Sequence, residues 1–192
     1  MTYVKASVRR PSGNPGNGIQ PKDQLVIYDV DDILSFPQRN DAGVVIEDDI
    51  VMKAGRYAIG IYLTPGTAEI SSNSDGETDA EGYTPSVKFN HPGNEQEIRE
   101  FKTNWLSKKC IVVLRYCSGK PADLIGTPCN PCKLSVSYTG SNESNTNELT
   151  FTQISKGDDI AIYRGTDTLE EPVAVVEAGA TDIDYQTDGQ YQ

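Results

Sequence analysis

Most of the apolar positions in this chain alternate with polar or small residues, with the period of two that is typical of β-strands. Residues 24–29 are rich in β-branched and aromatic side chains and lie between turn formers, so they are predicted to form a strand. Shorter strands are predicted at 44–47, 160–163 and 172–176. Further strands are predicted where large apolar residues recur at every second position, in the sets Tyr57, Ile59, Ile61 and Leu63; Val87 and Phe89; Leu134, Val136 and Tyr138; and Leu149 and Phe151.

One segment changes to the helical period of 3.6 residues. Between residues 94 and 107, Ile98, Phe101 and Trp105 fall at i, i+3 and i+7. This spacing predicts one amphipathic helix, capped at Asn94, that buries these three side chains against a sheet. An apolar run at 110–116 follows the helix at once, and such a run is typical of a central, well-buried strand.

The composition agrees with a loop-rich β protein. Only 36% of residues are hydrophobic, and the 192 residues include 17 glycines and 11 prolines. The prediction is therefore a mainly β fold, a β-sandwich or small barrel of antiparallel strands with one flanking helix at about 94–107 and long loops. Residues 1–22 are predicted to be a flexible N-terminal arm, residues 23–177 a single β-rich domain, and residues 178–192 an acidic C-terminal tail.

A polar segment interrupts the predicted strands within a long loop at 64–85. Residues 71–82 contain no large apolar side chain and carry four acids, so they are not expected to be held by the chain's own core. Two interpretations are open, a solvated loop and an inter-subunit arm that orders on assembly. The residues of this candidate arm are Ser71, Asp75, Glu77, Asp79 and Glu81.

The chain is strongly acidic. Its 28 acidic residues outnumber the 17 basic ones, which gives a net charge of −11 at pH 7. This balance argues against nucleic-acid capture, since phosphate binding needs clustered cations. The sequence has no apolar run of about 18 residues to span a membrane, and its first residues lack the apolar segment of a signal peptide. We therefore expect a protein made in a cytosol, with no membrane partner.

The four cysteines lie within residues 110–132, and Cys129 and Cys132 form the CxxC motif of zinc knuckles and thiol redox sites. Cys110 and Cys117 lie at the two ends of one predicted strand, roughly 23 Å apart at about 3.3 Å per residue, so they cannot bind one ion. A redox CxxC normally opens a helix, whereas prolines flank this one and a strand follows. We therefore expect thiols, or a pairing of Cys117 with Cys129 or Cys132, and no metal or cofactor.

The sequence predicts no catalytic residues. His91 is the one histidine, and no positioned nucleophile accompanies it. The adjacent acid pairs at 31–32, 48–49 and 158–159 diverge on a strand, so each is interpreted as a solvated turn. Calcium binding at the Asp-rich loops stays open, although the DxDxDG pattern is absent. The chain is therefore expected not to be an enzyme.

The order of these elements resembles a known family. The strand that contains Tyr83-Thr-Pro-Ser-Val-Lys-Phe89, the helix with Phe101, the buried strand at 110–116 and the late strand at 148–153 are similar to the core of the tail tube proteins of long-tailed bacteriophages. The resemblance covers residues 24–165 and rests on element order. A head-to-tail connector, a capsid-decorating protein, a carbohydrate-binding β-sandwich and a small enzyme are the alternative classes.

The resemblance implies a structural virion protein, assembled in the host cytoplasm. Proteins of this family form rings, expected here to be homohexamers, that stack into a hollow tube and bind other tail proteins. Each subunit is expected to add strands to a continuous inner β-barrel, and the loop at 64–85 to extend onto a neighbouring ring. DNA passes through such a tube without specific binding, and the net charge of −11 has the sign that this requires.

Three acids are candidates for the wall of the channel. Glu47, Glu143 and Glu148 flank short predicted strands and have no nearby basic residue in the sequence. If the chain builds a tube, inner hairpin strands would direct these carboxylates toward the lumen, where they would repel DNA phosphates.

Overall fold

The computed structural model describes residues 5–14 and 16–169. These residues form twelve strands, one α-helix and a short 3-10 turn at Val30–Asp32. The helix α1 spans Gln96–Trp105. The strands are β1 (Pro21–Asp29), β2 (Ile33–Ser35), β3 (Val45–Ile46), β4 (Val51–Met52), β5 (Ile59–Tyr62), β6 (Glu69–Asp75), β7 (Gly82–Pro92), β8 (Cys110–Tyr116), β9 (Ala122–Ile125), β10 (Cys132–Gly140), β11 (Asn145–Gln153) and β12 (Ala161–Tyr163).

The strands form one large branched sheet. Its main order is β3-β12-β9-β8-β10-β11-β7-β6, and β1 pairs with both β8 and β5. The branch lies at β8, where Val112, Val113 and Leu114 pair with β9 and Cys110 pairs with Cys132 of β10. The strands β2 and β4 form a separate two-stranded sheet. The protein is therefore mainly β with one flanking helix, as the alternation in the sequence predicts.

Two cores lie on opposite faces of the β1–β8 pair. On one face, Leu25 and Leu114 pack with residues of β5, β7, β10, β11 and α1. On the other face, Val26 and Val113 pack with Ile46, Ile50 and the aromatic rings of Tyr28 and Tyr163. Because both faces are covered, β8 is buried along almost its whole length, which confirms the central strand predicted from the apolar run at 110–116.

The helix is confirmed, but it is shorter and less buried than the period predicts. It begins at Gln96 with Glu95 in the N-cap position, and no side chain caps its first turn, so the predicted Asn94 cap is wrong. Ile98 is buried against the first core, whereas Phe101 and Trp105 are only partly buried and stack on each other at 5.7 Å. Both rings pack against the rim of the first core, and solvent reaches part of each.

Three further predictions need correction. The sheet is open, so the small barrel is wrong, and it is mixed, because β12 pairs with β3 in parallel. The predicted long loop at 64–85 contains β6 and the start of β7, because its polar residues pair with a neighbouring strand that is itself anchored in the core. The N-terminal arm ends two residues early, since β1 begins at Pro21.

Three other predictions concern residues that are not described. The start of the arm, the strand at 172–176 and the acidic tail at 178–192 lie outside the described residues. In the part of the arm that is described, residues 5–14 are exposed.

Candidate assembly surface

The polar segment forms the outer part of a β-hairpin. Strands β6 and β7 pair antiparallel from Glu69 with Lys88 to Asp75 with Gly82. The inner half of β7 also pairs with β11, and its Val87 and Phe89 are fully buried. The residues of β7 that precede Ser86 do not pair with β11, so the outer half of the hairpin extends past the end of that strand. The alternating apolar residues of β7 therefore anchor a hairpin whose outer residues are polar.

The turn of this hairpin, residues 75–82, is called the acidic tip. It carries Asp75, Glu77, Asp79 and Glu81 and is largely exposed. The Ala80 N–H donates to the Glu77 carbonyl at 2.9 Å, which closes the turn. Gly76 has a φ of 140°, and a Cβ at this position would lie 2.2 Å from the Ala80 carbonyl oxygen, so the turn requires glycine.

The loop after β11 holds the base of the tip. Tyr83 and Gly157 exchange two backbone hydrogen bonds of 2.9 and 3.0 Å. Lys156 lies 3.3 Å from the Asp75 carboxylate. The hydrogen bond from Lys156, together with that from the Gly76 N–H, lowers the pKa of Asp75 below its ordinary value. The chain thus presents the tip in a defined position without covering it.

The outer strand of the hairpin is an edge strand. Within residues 5–14 and 16–169, β6 pairs with β7 alone and ends the sheet order. An edge strand exposes backbone N–H and carbonyl groups along one side, and these can pair with a strand of another chain. The edge of β6 and the acidic tip together form the candidate assembly surface.

The structure divides the predicted arm residues between the strand and the tip. Ser71 is half-buried in β6, and its hydroxyl lies 2.9 Å from that of Ser86 on β7. Asp75 ends β6, whereas Glu77, Asp79 and Glu81 lie in the turn and are exposed. The prediction that residues 71–82 form one loop is therefore wrong for residues 71–75.

The three predicted channel acids do not lie together along the sheet. Glu47 follows β3 at one end of the strand order, while Glu148 lies on β11, with β12, β9, β8 and β10 between these strands. Two of them have basic partners that the sequence does not show: Glu47 lies 2.9 Å from Arg164, and Glu148 lies 4.0 Å from Lys88. Glu143 lies in the exposed turn between β10 and β11.

All four cysteines are free thiols, so the alternative pairing of Cys117 with Cys129 or Cys132 is not formed. Cys110 and Cys132 are buried register partners at the branch of the sheet, while Cys117 and Cys129 are exposed. Burial raises the pKa of the Cys110 thiol to about 12, and it also raises the pKa of Cys132. The sequence prediction missed this pair because the partner of each strand is not encoded in local spacing. Among the described residues, no group of three or more His, Cys, Asp or Glu side chains is placed to hold a metal ion.

A cleft lined by basic residues is a further feature that the sequence prediction missed. It has a volume of about 350 Å³ and lies where β1 begins, β8 and β12 end, and β9 begins. No acidic residue lines it. It is called the basic cleft, and its four cations are Lys22, Arg115, Lys120 and Arg164. These residues are separated by up to 142 positions in the sequence, so they form no visible basic run.

Comparison with protein-family models, with curated protein sequences and with solved structures finds no match. In the described part of the chain, α1 is the one α-helix, and neither its length nor its composition would let it cross a membrane. These surfaces are therefore interpreted from their own geometry and charge.

Proposed function

We propose that this chain is a structural protein that assembles with copies of itself through the β6–β7 hairpin, as a subunit of a phage tail tube. The observation that supports the proposal most is the hairpin itself. Its outer half extends past β11, its edge is unpaired within the described residues, and its tip carries four acids. None of residues 71–85 belongs to either hydrophobic core, which suits a role in contacts between subunits.

The resemblance to tail tube proteins supplies the form of the assembly. On that resemblance, the subunits form homohexameric rings that stack in the virion, and the hairpin extends from one ring to the next. The excess of acidic residues suits a channel that lets DNA pass without binding it. A head-to-tail connector or a capsid-decorating protein would also self-associate, but neither would form long tubes.

Electron microscopy of the purified full chain tests the proposal most directly. Rings and tubes in negative stain are the expected result, with concentration-dependent large species in analytical ultracentrifugation. Isolated rings without tubes would favour a connector. A protein that stays monomeric at about 100 μM would contradict the proposal, because its self-association would then be worth less than about 5.5 kcal/mol.

A shortened hairpin shows whether this element makes the contacts. Replacing residues 73–84 by Asn-Gly keeps the four inner pairs, from Glu69 with Lys88 to Ser72 with Pro85, and closes them with a favoured two-residue turn. The variant is expected to fold, because Val87 and Phe89 remain, but not to form tubes. A matched control replaces Glu143 by Ser in the exposed β10–β11 turn and should assemble normally. Normal tubes from the shortened variant would show that the hairpin is not the contact.

A further inference from the structure

We infer that the basic cleft receives the acidic tip of a second copy of this chain, an inference that rests on the proposed function. The two surfaces are complementary in charge: the tip carries four carboxylates, and four cations and no acid line the cleft. In a chain with a net charge of −11, a cleft without acids is a marked local exception. Complementary charge between two surfaces sets the register of docking and disfavours wrong contacts.

Two of the four cations are available to a partner. Arg115 is bound to the Asp167 carboxylate and to the Gly165 carbonyl, and Arg164 is bound to Glu47. Within residues 5–14 and 16–169, Lys22 and Lys120 make no ion pair. The Lys120 ammonium lies 4.7 Å from the centre of the Tyr116 ring, which holds it over the cleft. The two lysines are therefore the cations that would bind the tip.

The walls of the cleft are fixed by the core. Tyr163 and Ala122 are buried, and Tyr116 is only 8% exposed, with its hydroxyl group hydrogen-bonded to Asp123. Arg115 stacks on Tyr163 with 5.5 Å between the guanidinium carbon and the ring centre. A receptor that is already ordered loses little conformational entropy on binding. The tip is likewise ordered in the free chain, by the Gly76 turn and the Tyr83–Gly157 pair.

The basic N-terminal segment is a poorer receptor. Lys5, Arg9 and Arg10 lie in the exposed stretch at 5–14, which contains no strand and packs on no core. A segment without secondary structure would have to be ordered when it binds, which costs conformational entropy. It nevertheless offers a matched control, because the same number of charges can be reversed there.

The contact is heterologous, because the tip and the cleft are different surfaces of one chain. No ion pair links the two within the described residues of a single chain. Repeated head-to-tail contacts of this kind produce closed rings or open stacks. The inference therefore specifies how one subunit contacts the next, which the proposed function leaves open.

A charge-swap experiment tests the inference. Four full-length proteins are compared with the parent by analytical ultracentrifugation and negative stain: K22E/K120E, E77K/D79K, the combination of all four substitutions, and the control R9E/R10E. The cleft variant and the tip variant should each weaken assembly at least tenfold. The combined protein keeps the net charge of −11 and should regain assembly, because every tip and every cleft is reversed together.

Several results would overturn the inference while the proposed function stands. In each of these cases the parent assembles. Either K22E/K120E assembles as well as the parent, or the combined protein assembles no better than the single-surface variants. If R9E/R10E lost assembly while K22E/K120E kept it, the N-terminal segment would be the site that binds the tip. Rescue of K22E/K120E by E170K/E171K, in place of E77K/D79K, would make the C-terminal segment the occupant. A parent that never assembles would overturn the proposed function and the inference together.

Discussion

The attachment of the helix depends on one side chain, and its removal gives a quantitative prediction. Ile98 is the one residue of α1 that is buried, with 4% of its surface exposed in the first core. Ile98→Ala removes roughly three buried carbon groups at about 0.8 kcal/mol each, or about 2.4 kcal/mol. The cavity left behind adds to this cost, because the surrounding β-sheet relaxes only partly. We therefore expect a loss of about 3 kcal/mol in the free energy of unfolding.

The assay uses two signals that report on different parts of the molecule. Urea denaturation is followed by far-UV circular dichroism and by the fluorescence of Trp105, the only tryptophan in the chain. Trp105 stacks on Phe101 on the same helix, so its emission reports on α1. The matched control is Leu106→Ala, at a residue that is 54% exposed just after the helix, and it should change stability by less than about 0.5 kcal/mol.

The pair of variants separates a packed helix from a loosely attached one. If Ile98→Ala costs no more than Leu106→Ala, the helix does not contribute to the core in the way the burial of Ile98 indicates. If the fluorescence transition of the parent precedes the circular dichroism transition, α1 detaches before the sheet unfolds. Either result would refute the argument that Ile98 joins the helix to the first core.

Three further predictions concern the thiols and the hairpin turn. Ellman's reagent should modify the exposed Cys117 and Cys129 within seconds, and the buried Cys110 and Cys132 only on unfolding; four equally fast thiols would contradict their burial. The raised pKa of Cys110 means that above about pH 9 this thiol ionises in the unfolded chain but not in the folded one, so the free energy of unfolding in urea should fall as the pH rises from about 9 toward 12. Cys110→Ala should reduce that slope, and an unchanged slope would assign the effect to other groups. Gly76→Ala should lower the local stability of the acidic tip by about 1–3 kcal/mol, measured as faster amide exchange at residues 75–82. Gly13→Ala, at a position with open space around it, should leave that exchange unchanged.

The sequence predicts the elements better than their partners. The helix and the buried strand at 110–116 follow from local periodicity, because each segment's own apolar residues determine which of its faces is buried. Strand β6 was missed because Ser71, Ser72, Asn73 and Ser74 have little intrinsic preference for a strand. They adopt one because β7 is already fixed by Val87 and Phe89, which is a tertiary effect.

The candidate sites show the same limit more strongly. The acidic residues of the tip are adjacent in sequence, so they could be predicted as a group. The basic cleft could not be predicted in this way, because Lys22 and Arg164 line one cleft only once β1 and β12 are placed in the folded sheet. Likewise Glu47 and Arg164 are 117 positions apart, and their contact depends on the parallel pairing of β3 with β12.

The sharing of β8 between two cores has an evolutionary consequence. Val112 and Leu114 belong to one core, while Ile111 and Val113 belong to the other. Inserting or deleting one residue in this strand would exchange the two sets, because successive side chains of a strand point to opposite faces. Both cores would then be repacked at once, and no edge strand would be able to absorb the shift. Length changes in related chains should therefore accumulate in the segment between β8 and β9 and in the turn between β10 and β11, and spare β1 and β8.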